Sequence, residues 1–186
     1  MTMQEQLYPL ARRAFWGYFF VLLNINFTFN HVFALQFLPN TVGWWLLARV
    51  CREGKALRPS LGLLHPFCLV LAVWNVQQFF PTLEGQIPGL ITLLGGLVTL
   101  YTHFQFLTDL AALADEALPG GEQGHKLRTA RTAMVIINTL LYCYDLLFRL
   151  PALAVVILVV SLCVYIYLLV QLWGLSKSLS PASPEH

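Results

Sequence analysis

The distribution of positive charges between apolar runs is the feature that most constrains the fold of this chain. Six apolar runs cover residues 14–37, 41–50, 61–80, 88–112, 132–148 and 151–173. If the spacers between them alternate across a bilayer, ten of the eleven Lys and Arg residues fall on one side, and Arg149 alone falls on the other. The ten are Arg12, Arg13, Arg49, Arg52, Lys55, Arg58, Lys126, Arg128, Arg131 and Lys177. Because basic loops are retained in the cytoplasm, both termini are predicted to be cytoplasmic.

The composition agrees with an integral membrane protein. Hydrophobic residues make up 58% of the 186 residues and charged residues only 11%, whereas soluble domains carry roughly a quarter charged residues. The spacers are too short for a second folded domain. We therefore expect an all-α integral membrane helical bundle of six hydrophobic segments, forming one domain over residues 1–175, with a disordered cytoplasmic tail at 176–186.

The second segment is predicted to be short and preceded by a proline. Pro39 disfavours helix at Leu38, and Asn40 suits the N-cap of a new helix. From Asn40 to Cys51 a helix would extend about 18 Å, little more than half of a ~30 Å hydrocarbon core. The segment is therefore either a half-length element or a full span that includes bent residues before Pro39. Broken helices of this kind hold ligand sites in some membrane proteins and serve only for packing in others.

Residues 24–30 alternate strictly between polar and apolar side chains, which is the period of an extended chain. On a helix the same polar residues would occupy two opposite faces. In both interpretations the stretch is poorly suited to face lipid, because polar side chains in hydrocarbon need partners. We expect it inside the bundle or near the outer surface.

The residues from Asn24 to Trp45 resemble a family of uncharacterised small multi-pass membrane proteins of Gram-positive bacteria. That family carries Asn-Ile-Asn, then Leu-Pro-Asp-Phe-Ile-Gly-Tyr, then four more hydrophobic segments. The matching positions are Asn24, Ile25, Asn26, Leu38, Pro39, Gly43 and the aromatic Trp44. Asn40 replaces the family's Asp, and Thr41 replaces its Phe. The resemblance implies a bacterial plasma membrane location and no known activity.

Polar residues at helical spacing suggest a candidate polar cavity. On the fourth segment, Gln105 and Asp109 belong to a polar stripe that spans about 120° of arc. On the fifth, Asn138 and Asp145 lie along one line with Arg149. Together with the Asn-rich first segment, these faces could line a cavity or could be hydrogen-bonded between helices. The candidate cavity residues are Asn24, Asn26, Asn40, Gln105, Asn138 and Asp145.

Arg49, Arg52, Lys55 and Arg58 form a basic cluster within ten residues, opposed only by Glu53. We expect it to contact lipid headgroups, since juxtamembrane cations are attracted to anionic lipid. No aromatic residue interleaves the charges in the loop, so a nucleic-acid partner is not expected. The four cysteines show no CxxC spacing and lie in or at the ends of apolar runs, which predicts no metal site. No cofactor is expected.

Enzyme signatures are absent from the sequence. There is no Gly-x-Ser-x-Gly elbow, His-Glu-x-x-His pair or phosphate-binding loop, and Asp109 and Asp145 lie near opposite ends of their segments. The sequence therefore predicts a non-enzymatic membrane component that contacts the lipid bilayer and binds a membrane-protein partner or a second copy of itself. The alternative is a small-solute transporter or channel with its site near the broken second helix.

Overall fold

The computed structural model describes residues 2–22, 26–29, 33–36, 39–76, 89–147 and 151–180. Across these residues the chain is predominantly helical, with one small sheet. The elements are α1 (Met3–Leu22), β1 (Asn26–Phe29), β2 (Phe33–Gln36), α2 (Pro39–Gly54), α3 (Pro59–Val76), α4 (Gly89–Ala117), α5 (Gln123–Leu147) and α6 (Pro151–Ser178).

Proline and glycine set several of these boundaries. Pro39, Pro59 and Pro151 are the first residues of α2, α3 and α6, where a missing backbone N–H costs nothing. Gly120 has a φ of 83° and lies in the turn between α4 and α5, a conformation that glycine adopts without strain. The helices at this turn extend further than the apolar runs, so the connection is much shorter than the spacing between the runs.

The all-α prediction missed the sheet, which lies where the sequence alternates. β1 and β2 are antiparallel, with Asn26 opposite Gln36 and Phe29 opposite Phe33. The extended interpretation of this stretch is therefore confirmed for residues 26–29. As a consequence, the apolar run 14–37 is divided between the C-terminal half of α1 and a hairpin, and it does not form one long helix.

The second segment is short, although longer than the sequence suggested. α2 has 16 residues, or about 24 Å of helix. It begins at Pro39 itself, so the N-cap role predicted for Asn40 is wrong: Asn40 lies inside the first turn. At the other end of the chain, α6 continues to Ser178 and Leu179 is buried, so the start of the predicted disordered tail is ordered. Residues 181–186 lie outside the described residues.

Two compact units divide the chain, one formed by residues 1–15 with 103–186 and the other by residues 16–102. Both boundaries fall inside helices, α1 and α4. The single domain over 1–175 stays a prediction.

Within the 16–102 unit, α1 and α2 cross at two glycines. A methyl group added to Gly43 would lie 2.6 Å from the Gly17 carbonyl oxygen and 2.7 Å from the Val21 nitrogen. Small residues permit such close approach of helix backbones in membranes. Beside this crossing, Tyr18 and Trp44 are almost completely buried.

α2 and α3 form an antiparallel helical hairpin in the same unit. Leu47, Leu64 and Leu71 are buried, each at 1% exposure. Between the two helices the Cys51 and Cys68 Sγ atoms lie 3.9 Å apart, and both side chains are fully buried, reduced thiols. The contact shows that Cys51 of α2 and Cys68 of α3 lie on the faces where these two helices meet.

The thiol contact predicts an oxidative crosslink. A disulfide requires about 2.05 Å between sulfurs, so small side-chain rotations should close the gap. We expect the membrane-permeant oxidant diamide, which takes up the two thiol hydrogens, to join Cys51 to Cys68 within one chain. Proteolysis and mass spectrometry without reductant would detect the linked peptides. Cys68→Ser is the control, and the absence of a Cys51–Cys68 link after complete reaction with diamide would contradict the contact.

The other unit has its own buried core. Leu7 and Ala11 of α1, Leu107 of α4, Leu127 of α5 and Leu172 of α6 are fully buried. Phe15 and Trp173 pack with ring centroids 5.2 Å apart. At the turn between α4 and α5, Arg128 forms an ion pair with Asp115.

Large apolar side chains are exposed along α3, α4 and α6. Val73 is 72% exposed, Leu90 67% and Leu158 66%. By length and composition, two of the described helices are able to cross a membrane: α3, and α6 over Val155–Ser178. That all six segments are membrane-embedded stays a prediction.

Candidate functional site

Asn40, a predicted cavity residue, makes a hydrogen bond between helices. Its Nδ2 donates to Asn75 Oδ1 on α3 at 2.9 Å, and Asn75 Nδ2 donates to the Leu71 carbonyl at 2.7 Å. Asn75 is buried. Asn40 Oδ1 is also buried and finds no hydrogen-bond partner among the described residues. The Asn40 side chain therefore links α2 to α3 by one hydrogen bond, and its Oδ1 is an acceptor with no described donor.

Gln105 lies on α4, in the other unit, and bonds along its own helix. Its Nε2 donates to Asp109 Oδ1 at 3.2 Å, and Asp109 is buried. The polar stripe predicted on this helix is not uniformly buried, because Tyr101 is half exposed whereas Thr102 is buried. Hydroxyl groups in the stripe also bond their own helix, as Thr102 does to the Val98 carbonyl.

Asn138 joins α5 to α6. The Tyr165 hydroxyl donates to Asn138 Oδ1 at 3.0 Å, while Asn138 Nδ2 donates to the Met134 carbonyl at 2.8 Å. Tyr165 was not found by reading the sequence. Ser161 and Tyr165 are polar residues four apart on a strongly apolar helix, and that spacing is the signal that could have identified the polar side of α6.

Three of the predicted cavity residues have no described side chain. Asn24 lies outside the described residues, Asn26 is placed by its backbone in β1, and Asp145 by its backbone in α5. Of the other three, Asn40 belongs to the 16–102 unit, and Gln105 and Asn138 belong to the other. Each of these three amides is hydrogen-bonded within its own unit. A shared cavity stays a prediction.

The basic cluster lies at the end of α2 and in the turn that follows it. Arg49 places its guanidinium 4.2 Å from the Trp45 ring centroid, a cation–π arrangement. Arg49, Arg52 and Lys55 are exposed, and Arg58 is half-buried. Three cations therefore remain accessible to a negatively charged group, as headgroup contact requires.

A second set of charges surrounds the α4–α5 turn. Arg131 Nη1 donates to Thr108 Oγ1 at 2.8 Å, and its guanidinium lies 4.5 Å from the Phe104 ring centroid. Near the start of α5, Lys126 Nζ and Glu122 Oε2 form an exposed ion pair at 2.8 Å. The hydrogen bond and the charge of Lys126 lower the pKa of Glu122, and Glu122 in turn raises the pKa of Lys126.

This pair predicts a weak dependence of stability on pH. Because the folded-state pKa of Glu122 is lowered, its contribution is present above the unfolded pKa and is lost as pH falls through the folded value. Because the folded-state pKa of Lys126 is raised, its contribution to stability is present below the unfolded pKa and is lost as pH rises through the folded pKa. NMR titration should show that Lys126→Gln moves the Glu122 midpoint up toward its ordinary value, as high salt should do in part. An unchanged midpoint in Lys126→Gln would refute the pairing.

The amides can hydrogen-bond a polar ligand group, and the exposed cations can attract an anion. Asn40, Gln105 and Asn138 are each hydrogen-bonded to another side chain, Asn40 Oδ1 has no hydrogen-bond partner among the described residues, and three cations of the basic cluster are exposed. No family model matches the chain, and no curated protein and no solved structure matches it either.

Proposed function

We propose that the chain is a multi-pass integral membrane protein that works without catalysis, by binding a membrane partner. The observation that carries this proposal is the exposure of large apolar side chains along α3, α4 and α6. Monomeric soluble proteins rarely expose contiguous apolar patches larger than a few hundred Å². Lipid would cover most of this surface, and a partner would cover part of it.

The proposed orientation follows from the charges. With the connections at 55–58 and 118–122 on the cytoplasmic side, both termini are cytoplasmic, and ten of the eleven basic residues face the inner leaflet. The membrane would be a bacterial plasma membrane, in line with the resemblance of the Asn24–Trp45 stretch to proteins of Gram-positive bacteria. On the basis of the same residues, we propose that the chain is related to that family.

Cysteine labelling tests the topology. In a background with the four cysteines replaced by serine, Arg52→Cys and Lys126→Cys should react with an impermeant maleimide only after the cells are opened. Arg149→Cys is the matched control and should react in intact cells. Labelling of Arg52→Cys and Lys126→Cys from opposite sides would overturn the proposed topology.

Crosslinking in mild detergent tests partner binding. The partner is either another membrane protein or a second copy of this chain, so we expect crosslinked species larger than the monomer. A strictly monomeric particle with no co-purifying protein would contradict the proposal.

One observation favours the alternative, a small-solute carrier or channel. Asn40 Oδ1 is buried and without a hydrogen-bond partner among the described residues, and it lies in the first turn of a short helix, where membrane proteins place ligand sites. Glycerol and potassium fluxes in proteoliposomes would test it. If the alternative is correct, one of these fluxes should be present with the unaltered protein and should be lower in proteoliposomes that contain the same amount of Asn40→Ala.

A further inference from the structure

An apolar groove runs between the N-terminal half of α2 and the C-terminal half of α3. Its volume is about 520 Å³. Its walls are made by Thr41, Val42, Trp45, Leu69, Ala72, Val73 and Val76. The groove is open at the surface, since Val73 is 72% exposed and Trp45 46%.

The α2 wall of this groove continues into the basic cluster. At 100° per residue, Thr41, Val42, Trp45, Arg49 and Arg52 fall within an arc of about 100° on one face of the helix. Arg49 links the two regions directly, because its guanidinium lies 4.2 Å from the ring of Trp45, a residue that lines the groove. The surface is therefore apolar along its length and positively charged at one end.

The length of this surface matches one leaflet of a membrane. Thr41 and Arg52 are eleven residues apart, or about 16 Å along the helix axis. The hydrocarbon core is about 30 Å thick, so half of it is about 15 Å. A ligand with one negative end and an apolar chain of leaflet length fits these dimensions and charges.

We propose that this groove binds one anionic phospholipid, with an acyl chain between α2 and α3 and its phosphate at Arg49 and Arg52. The inference rests on the proposed membrane embedding. Lys55 adds a third exposed cation just beyond α2, where its stem lies against Gly62. An apolar helix of a partner protein would fill the apolar part but would bring no anion to Arg49 and Arg52, whereas an anionic phospholipid supplies both.

Native mass spectrometry of the detergent-extracted protein tests the site. Phosphatidylglycerol and phosphatidylcholine with the same acyl chains are added separately, and bound lipid is counted. We expect phosphatidylglycerol to be retained preferentially, and Arg49→Ala and Arg52→Ala each to lower its retention about fivefold. Lys177→Ala is the matched control: it removes one exposed cation at the end of α6 and should leave retention unchanged.

A second variant tests the apolar part of the groove. Val73→Trp places a larger side chain at an exposed position, so the fold should be kept while the groove is filled, and retention of phosphatidylglycerol should fall. Soluble glycerol phosphate should not displace the lipid, because it lacks the chain. An unchanged thermal midpoint would show that Val73→Trp folds normally.

Equal retention of the two lipids would overturn the site, and so would an Arg52→Ala variant that retains as much phosphatidylglycerol as Lys177→Ala. The site would also be overturned if Val73→Trp changed only the oligomeric state and left lipid retention unchanged, because a second copy of the chain would then cover the groove. These outcomes differ from failure of the proposed function. If the protein is released from membranes by alkaline carbonate without detergent, the membrane proposal itself fails. If it stays in the membrane and retains no anionic lipid, only the site fails.

Discussion

Replacing Gly43 with alanine is expected to destabilise the protein by roughly 1–3 kcal/mol, as overpacking does. The added methyl would lie 2.6 Å from the Gly17 carbonyl oxygen and 2.7 Å from the Val21 nitrogen. Both atoms belong to the backbone of α1, which cannot rotate away as a side chain could, so α1 and α2 would have to separate. Gly43→Leu should be more damaging still. Loss of the monodisperse peak after heating in detergent, followed by size-exclusion chromatography, would measure the effect.

Gly174→Ala is the matched control, with an expected effect of opposite sign. A methyl at Gly174 would meet its nearest described neighbours, the side-chain Oε1 and Nε2 atoms of Gln123, at 3.8 Å and 3.9 Å, which is ordinary contact. Alanine in the interior of α6 should therefore stabilise by about 0.5–1 kcal/mol, because glycine loses more backbone entropy on folding. If Gly43→Ala is no more harmful than Gly174→Ala, α1 and α2 do not cross at these glycines.

Asn75→Leu is expected to destabilise the protein by a comparable amount, about 1–3 kcal/mol. Asn75 is buried and accepts a hydrogen bond from Asn40 Nδ2. Leucine removes the acceptor and leaves the Asn40 amide unpaired in an apolar setting, which is the costly half of breaking a hydrogen bond. Thermal unfolding in detergent measures the loss.

A double-mutant cycle separates the Asn40–Asn75 bond from other effects of the substitutions. Asn40→Ala and Asn75→Ala should show a coupling of about 0.6–2 kcal/mol, the range found for hydrogen bonds between membrane helices. Thr99→Ala serves as a control, since the Thr99 hydroxyl donates to the Gly95 carbonyl within α4, so its removal should cost less. Additive losses at Asn40 and Asn75 would mean that the two amides do not interact.

Local sequence signals predicted local structure well in this chain. Pro39 marks the start of α2, the alternation over 24–30 coincides with β1 at Asn26–Phe29, and Gly120 lies in the turn between α4 and α5. Each of these features depends on the backbone preferences of neighbouring residues. The crossing at Gly17 and Gly43 could not be predicted in the same way, because the two glycines are far apart in sequence and each looks ordinary in its own helix.

The candidate site was predicted less completely, for a related reason. Helical periodicity assigns Arg49 and Arg52 to one face of α2, so the accessible cations could be located from the sequence. Periodicity does not say which helix faces a polar residue, and it therefore could not pair Asn138 with Tyr165. Asn40 was assigned a capping role from its place after Pro39, whereas its side chain reaches α3.

In the proposed membrane arrangement, the sheet of β1 and β2 limits how far this region can enter the bilayer. In this two-stranded sheet each strand forms backbone hydrogen bonds along one edge only. The N–H and C=O groups of the other edge need water or protein as hydrogen-bond partners, since hydrocarbon offers none. Moving these strands into hydrocarbon would cost several kcal/mol for each backbone group that loses its hydrogen bond to water. We therefore expect β1 and β2 to stay at the aqueous boundary of the proposed membrane arrangement, with α1 and α2 entering the bilayer from it together.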